Sequence, residues 1–117
     1  MNIEELRTFC LSKPYATEGF PFDEDTLVFK VAGKMFCLCS LKQPDRINLK
    51  CDPEMAIRLR EQYPCVTPGF HMNKKMWNTI ILDGSASRVT IEEWINHSYS
   101  LVVSGLPKKV QTELGLL

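Results

Sequence analysis

The residues best suited to chemistry lie in one short segment, from Thr67 to Trp77. A Pro-Gly pair that is typical of a turn opens it, and a histidine, an asparagine, two adjacent lysines and a tryptophan follow. The next five residues, 78–82, are rich in β-branched side chains and predict a strand. We therefore expect the polar side chains to lie at the entry to a strand, where a rigid backbone aims them outward.

The chemistry that this segment suggests is nucleic-acid binding. Lys74 and Lys75 can neutralise phosphates, Asn73 and His71 can hydrogen-bond to base or sugar edges, and Trp77 can stack on a base. Two exposed lysines beside a buried tryptophan would give the same pattern, so the sequence leaves both interpretations open.

Proton chemistry at His71 is the second candidate, because imidazole changes charge near neutral pH. No serine or carboxylate stands at a recognisable catalytic spacing from it, and only Cys65 is near enough in sequence to suggest a Cys–His pair. His97 is the only other histidine, and two isolated histidines do not make a metal site. Gly33-Lys34 lacks the other residues of a phosphate-binding loop. We expect a hydrogen-bonding role for His71, no enzymatic activity, no metal and no cofactor.

Charge is balanced overall, with 14 basic and 14 acidic residues, whereas a dedicated nucleic-acid binder usually carries a basic excess. The distribution is uneven, because residues 1–29 carry a net charge of −4 and residues 30–60 a net charge of +4. The middle of the chain can therefore form a local positive surface, or simply solvated strands and helices. The acidic run Asp23-Glu24-Asp25 suits either a hard cation or a solvated turn, and we expect the turn.

The five cysteines and the acidic start predict a cytoplasmic protein with reduced thiols and no membrane contact. The pair Cys37-x-Cys39 lacks the spacing of zinc and redox sites. On a strand these two cysteines share a face, together with Met35 and Leu41, so we expect them to pack in the core.

Secondary-structure signals predict one domain over residues 1–117, of the α+β class, with an antiparallel sheet and helices packed on one face. On the third strand Arg46, Asn48 and Lys50 alternate with apolar residues, so their face of the sheet is expected to be open to water. The predicted order begins with a helix capped by Asn2, a loop over 15–22 that can contain a short strand, and a hairpin of strands 26–31 and 34–41. A turn at 43–45, a strand over 46–51, a helix over 53–63, a short extended piece at 65–66 and a strand over 78–82 follow. The chain then forms a helix with a capping box at 90–93 that ends near Gly105, and a last helical turn or two over 108–114.

With these segments in place, the chain resembles the MmcQ/YjbR family of small bacterial proteins. Four segments carry the resemblance: residues 29–36 (FKVAGKMF), 49–53 (LKCDP), 68–77 (PGFHMNKKMW) and 98–102 (SYSLV). The third is the most distinctive, and together they extend over nearly the whole chain.

The resemblance implies a CyaY-like (frataxin-like) fold and a double-wing contact with duplex DNA, in which protruding hairpins grip the helix. In this chain the corresponding residues are Lys30 and Lys34 at the hairpin tip and His71, Asn73, Lys74, Lys75 and Trp77 in the later segment. A frataxin-like fold also suggests iron binding through acidic residues, but Glu4, Glu5 and residues 23–25 are sparse for that role.

The sequence thus predicts a non-enzymatic protein that binds double-stranded DNA. We expect Lys30, Lys34, Lys50, Lys74 and Lys75 to contact phosphates, with Asn73 or His71 near base or sugar edges and Trp77 beside them. The alternative is an adaptor that binds a protein or a small ligand through the exposed sheet face or the groove beside Trp77, and the neutral net charge favours it.

Overall fold

A six-stranded antiparallel sheet carries the fold in the computed structural model, which describes residues 1–116. The strand order is β1-β2-β3-β4-β6-β5, and the helices cover one face, so the predicted α+β class is confirmed. The elements are α1 (Ile3–Leu11), β1 (Ala16–Gly19), β2 (Thr26–Val31), β3 (Lys34–Ser40), β4 (Gln43–Lys50), α2 (Pro53–Gln62), β5 (Val66–Pro68), β6 (Trp77–Ile81), α3 (Arg88–Ser104) and α4 (Lys108–Glu113).

Local signals define several of these boundaries. Asn2 and Glu5 form the predicted capping box at the start of α1, and the side chain of Asp52 accepts the N–H of Met55 at the start of α2. The β2–β3 hairpin turns through Ala32 and Gly33, whose φ angles of 49° and 78° fit the two-residue turn that matches the twist of paired strands. In the part of the chain that the structure describes, no helix has the length and apolar character needed to cross a membrane.

Two predicted boundaries are wrong. β4 begins at Gln43, so the turn lies at residues 41–42; Ser40 pairs with Gln43, and Pro44, which has no N–H to donate, lies where the pairing is irregular. α3 begins at Arg88 rather than at Thr90, because the side chain of Ser87 caps the helix by accepting the N–H of Thr90 at 3.1 Å.

The core lies between the sheet and the helices. The five cysteines are all buried there, which confirms core packing for Cys37 and Cys39. Burial raises the pKa of Cys39 and of Cys51 to about 11, so these thiols are neutral at physiological pH. The apolar residues that meet in this core include Leu6, Leu27, Phe29, Val31, Phe36, Ile47, Leu49, Ile80, Ile91, Ile95 and Val102.

A β-bulge in β3 breaks the alternation that the sequence predicts. Phe29 pairs with Cys37, but the next residue of β2, Lys30, pairs with Met35, so Phe36 is an extra residue in β3. Phe36 and Cys37 both enter the core, and Met35 lies on the opposite face, packed against a second cluster around Val28. The expectation that Met35 shares a face with the cysteines is therefore wrong. Leu41 is not part of that face either, since it is an exposed turn residue.

Ser98 of α3 compensates for the bulge. The regular pairing of β3 with β4 reaches Cys37 and Leu49, and the Ser98 hydroxyl lies beyond it. Its Oγ accepts the N–H of Lys50 at 2.9 Å and donates to the carbonyl of Phe36 at 2.6 Å. Ser98 is fully buried, so this one side chain satisfies the buried carbonyl of Phe36 and the partly buried N–H of Lys50.

Arg60 connects α2 to the start of β6. Its Nε donates to Oδ1 of the buried Asn78 at 2.7 Å, and its Nη2 donates to the carbonyl of Trp77 at 3.3 Å and also to the carbonyl of Lys74. The Asn78 amide in turn donates to the carbonyl of Ala56 at 3.5 Å. These contacts fix the segment that precedes β6 against α2.

Replacing Ser98 by alanine should lower the free energy of unfolding by about 1–3 kcal/mol, because it leaves the Phe36 carbonyl and the Lys50 N–H buried without a partner. Urea denaturation measures the change. Ser104→Ala is the matched control, since Ser104 lies in the same helix but is exposed, and it should change stability by no more than about 0.5 kcal/mol. Equal effects of the two substitutions would contradict the role given to Ser98.

Arg60→Ala should cost about 1.5–3 kcal/mol of unfolding free energy, because the buried Asn78 carbonyl loses a charged donor. The neighbouring Arg58→Ala removes the same charge from an exposed position of α2 and should be nearly neutral. Thermal denaturation of both variants tests this, and a stability of Arg60→Ala equal to that of Arg58→Ala would show that the contacts to β6 add nothing.

Candidate functional site

The candidate site is the face of the sheet that the helices leave uncovered, which we call the open face. Its central row runs across four strands through Val28, Leu38, Asn48 and Thr79, which are successive partners in the sheet. The row nearer the β2–β3 turn contains Lys30 paired with Met35, and Lys50 paired with Trp77. The predicted polar face of β4 is therefore confirmed, although apolar residues of β2 and β3 share it.

Trp77 forms part of the floor of this face. It packs with Val28 and Leu38, and Met35, Met72 and Met76 lie around them. Only 8% of Trp77 is exposed, which leaves little of the ring for stacking on a base. The geometry fits the interpretation of a buried tryptophan beside exposed lysines.

The loop between β5 and β6, residues 69–76, folds back across the open face. Phe70 donates its N–H to Oγ1 of Thr79 at 2.9 Å, and that hydroxyl donates to Oδ1 of Asn48 at 2.5 Å. Gly69 donates its N–H to the carbonyl of Trp77 at 2.9 Å, and a Cβ at this position would lie 2.9 Å from Cβ of Trp77. Only glycine permits so close an approach, so the Pro-Gly pair of the sequence holds the loop against β6.

The predicted contact residues of this loop differ in what they do. Oδ1 of Asn73 accepts the N–H groups of Lys75 and Met76 at 2.9 and 3.3 Å, so it shapes the turn into β6. Nζ of Lys74 donates to the carbonyl of Gly69 at 2.9 Å, which ties it to its own loop. Lys75 and His71 are exposed, and the His71 ring contacts the Phe70 ring at a tilt of 49°, with 4.0 Å between ring centroids.

Three lysines of the strands gather at one end of the sheet, which we call the lysine end. Lys30 and Lys50 lie on the open face, whereas Lys34 pairs with the core residue Val31 and so leaves its strand on the helix side. A shallow groove of about 310 Å³ at this end is lined by Lys34 and Lys50, by Met35 and Trp77 of the open face, and by Val102 and Gly105 of α3. Lys30 is the strand partner of Met35. None of these three lysines takes part in an ion pair within residues 1–116. Lys74 and Lys75 lie three and two residues before Trp77, the first residue of β6, at this same end.

The opposite end of the open face carries the acidic residues of the β1–β2 loop. The carboxylate of Asp23 accepts the backbone N–H groups of Thr26 and Asp25 and the hydroxyl of Thr26, and these hydrogen bonds lower its pKa. Asp25 pairs with Lys42 at 3.2 Å, and Asp45 pairs with Arg46 at the same distance. The acidic run is thus a structured turn, and no group of three metal-binding side chains occurs among the described residues. We call this the acidic end.

Sequence reasoning missed a cavity of about 480 Å³ near the acidic end, between the β1–β2 loop and the 69–76 loop. Phe22 lines one side, Phe70 and His71 line the other, and Arg46 and Asn48 line it from β4. A signal was available, because Phe20, Phe22 and Phe70 stand beside proline or glycine in predicted loops, where an apolar ring has no core to enter.

The structure does not bring the proposed Cys–His pair together. Cys65 packs in the core under the helices, whereas His71 lies on the open face. His97 has a structural contact, since its Nε2 accepts the N–H of Asp52 at 3.2 Å at the start of α2.

Comparison with known proteins places this geometry in a family. Residues 11–101 match the family model described as YjbR. The chain is 38% identical to the uncharacterized protein YbdF of Escherichia coli O157:H7 over 92% of this chain and 89% of that one. It is 34% identical to the uncharacterized protein YjbR of Escherichia coli K12, over 93% of both chains.

Solved structures have the same fold. A crystal structure of a Deinococcus radiodurans protein with the family domain DUF419 superposes with a TM-score of 0.93 at 41% identity, over 99% of this chain and 89% of that chain. A crystal structure of a Pseudomonas syringae protein gives a TM-score of 0.74 at 26% identity, over 87% of this chain and 99% of that chain. The fold, the central segment from Pro68 to Trp77 and the match over most of the chain lead to one conclusion: this protein belongs to the YjbR family.

Proposed function

We propose that this protein binds DNA in the cytoplasm without catalysing a reaction, and that it contacts phosphates through the lysine end of the sheet. The observation that carries the proposal is the convergence there of Lys30, Lys34 and Lys50, which have no ion-pair partner within residues 1–116. Unpaired cations gathered on one surface attract a polyanion and release its counterions on binding.

The neutral net charge does not weaken this proposal, because much of the negative charge lies elsewhere. Glu5 and Glu18 are neutralised by arginines: Glu5 contacts Arg88 and Glu18 contacts Arg7. Asp25 and Asp45 are paired with Lys42 and Arg46 at the acidic end, away from the three lysines of the lysine end. The field at the lysine end is therefore positive, although the chain as a whole is neutral.

The lysines have different expected roles in DNA binding. Four lysines have side chains that can reach phosphates: Lys30, Lys34, Lys50 and Lys75. Lys74 differs, because its Nζ already donates a hydrogen bond to the Gly69 carbonyl. His71 and Phe70 lie further along the same face, where a sugar or base edge would pass. The buried, unpaired cysteines fit the reducing cytoplasm that the proposal assumes.

The alternative function is binding of a protein or a small ligand. The cavity of about 480 Å³ on the open face favours it, since small-molecule sites have volumes of this order. This alternative predicts an affinity that does not change with salt, whereas the proposed phosphate contacts predict an affinity that falls as salt rises.

A labelled random duplex should bind with an affinity that falls as salt rises. Contacts from three to five lysines predict a slope of log affinity against log salt of about −3 to −4.5, measured by fluorescence anisotropy. Replacing Lys34 and Lys50 together by alanine should weaken binding and reduce the magnitude of that slope by about 2.

Lys42→Ala is the matched control, because it removes a lysine that is already paired with Asp25 at the acidic end. Its affinity and salt slope should stay close to those of the unmodified protein. Absence of binding at low salt, or an equal loss in the Lys42 variant and in the double variant, would rule out the lysine end as a DNA contact.

A further inference from the structure

We infer that the cavity near the acidic end receives an unpaired nucleobase of the bound DNA strand. This inference rests on the proposed function and adds a base-binding site to the phosphate contacts. It predicts that the protein prefers a strand with a free base over a perfect duplex.

Two aromatic rings on opposite sides of the cavity support stacking of a planar ligand. Phe22 of the β1–β2 loop is 63% exposed and Phe70 of the 69–76 loop is 60% exposed, and both line the cavity. With Phe20, they are three of the six phenylalanines in the chain, and all three lie on the two loops that border the open face. Exposed aromatic side chains beside a groove are the usual stacking platforms for unpaired bases.

The polar groups in the cavity suit the edge of a base. Oδ1 of Asn48 accepts the Thr79 hydroxyl, but its Nδ2 donates only to the Phe70 carbonyl, at a long 3.5 Å. Arg46 uses Nε and Nη2 on Asp45, which leaves Nη1 to donate elsewhere. The amide of Gln43 makes no hydrogen bond with residues 1–116 and offers both a donor and an acceptor. Base edges present donors and acceptors side by side, which amides and guanidinium groups match.

His71, in one wall of the cavity, has an unusual backbone conformation. His71 has a φ of 58°, in the left-handed region that residues other than glycine seldom occupy. In this conformation its ring contacts the Phe70 ring at a tilt of 49°, and both rings line the cavity. Strained residues of this kind persist where the surrounding structure fixes a functional side chain.

The charges of the open face set the orientation of the strand. Phosphates are attracted to the lysine end and repelled at the acidic end from the carboxylate of Asp23, which makes no ion pair within residues 1–116. An uncharged base is not repelled in this way. We therefore expect the sugar-phosphate backbone of the DNA strand to lie at the lysine end and one of its bases to point toward the acidic end. A base inside a perfect duplex is paired and stacked, and it reaches the cavity only after leaving the helix.

The test uses three labelled DNA molecules at low salt: a perfect duplex, the same duplex with one bulged base, and the single strand. The unmodified protein should bind the bulged duplex and the single strand at least about fivefold more tightly than the perfect duplex. Phe22→Ala/Phe70→Ala should lose this preference while keeping the affinity for the perfect duplex, because the lysine end is unchanged.

Two further variants control for the loss of apolar bulk and for the removal of an exposed apolar side chain elsewhere. Phe22→Leu/Phe70→Leu keeps apolar bulk at both exposed positions and should lose the preference as the alanine variant does, since leucine cannot stack. Ile57→Ala removes an exposed apolar side chain from α2 and should keep the preference intact.

The outcomes separate this inference from the proposed function. Salt-dependent binding with equal affinity for all three DNA molecules would overturn the base site and leave the phosphate contacts standing. Absence of binding to any of them would overturn both. Binding of a free nucleoside monophosphate that depends on Phe22 and Phe70, without binding of any DNA, would assign the cavity to a free nucleotide and overturn the DNA proposals.

Discussion

The Ser98 hydroxyl is the contact on which the rest of the sheet depends. The bulge in β3 leaves the Phe36 carbonyl without a regular partner on β4, and one side chain of α3 satisfies it together with the Lys50 N–H. A buried bulge without that hydroxyl would leave two backbone groups desolvated. The same contact fixes where α3 crosses the sheet. The bulge also turns Met35 to the open face, where it lines the groove that contains Lys34 and Trp77. The bulge therefore affects both the core and the candidate site.

The open face separates charge within a chain that is neutral overall. Lysines without ion-pair partners in the described part of the chain stand at one end, and hydrogen-bonded carboxylates stand at the other, with an apolar and aromatic strip between them. The net charge of the chain is a sum over both ends, so it does not reveal that the lysines and the carboxylates are separated. A ligand with an anionic part and an uncharged planar part complements such a surface better than a uniformly charged rod does.

Sequence patterns predicted the parts of the fold that depend on neighbours in the chain. The Ala32-Gly33 hairpin, the Asn2 and Asp52 caps and the burial of the cysteines follow from local alternation and capping, and all are present. The bulge was not predictable in this way, because Ser98 lies 62 residues from Phe36. The cavity was missed for the same reason, since its two loops meet only in the folded chain. Asn73 has the right chemistry for a DNA contact, but only the structure reveals that its Oδ1 is used within the loop.

The two edges of the sheet also limit how this protein can meet a partner. β1 has four residues and β5 has three, the last of them Pro68, so neither edge offers a long row of free backbone groups. Strands this short resist pairing with strands of other molecules, which protects the protein from edge-to-edge aggregation. The same brevity makes both edges poor templates for a peptide that adds itself as a seventh strand. The short edges leave the side chains of the open face, between the β1–β2 loop and the 69–76 loop, as the more accessible surface for a partner.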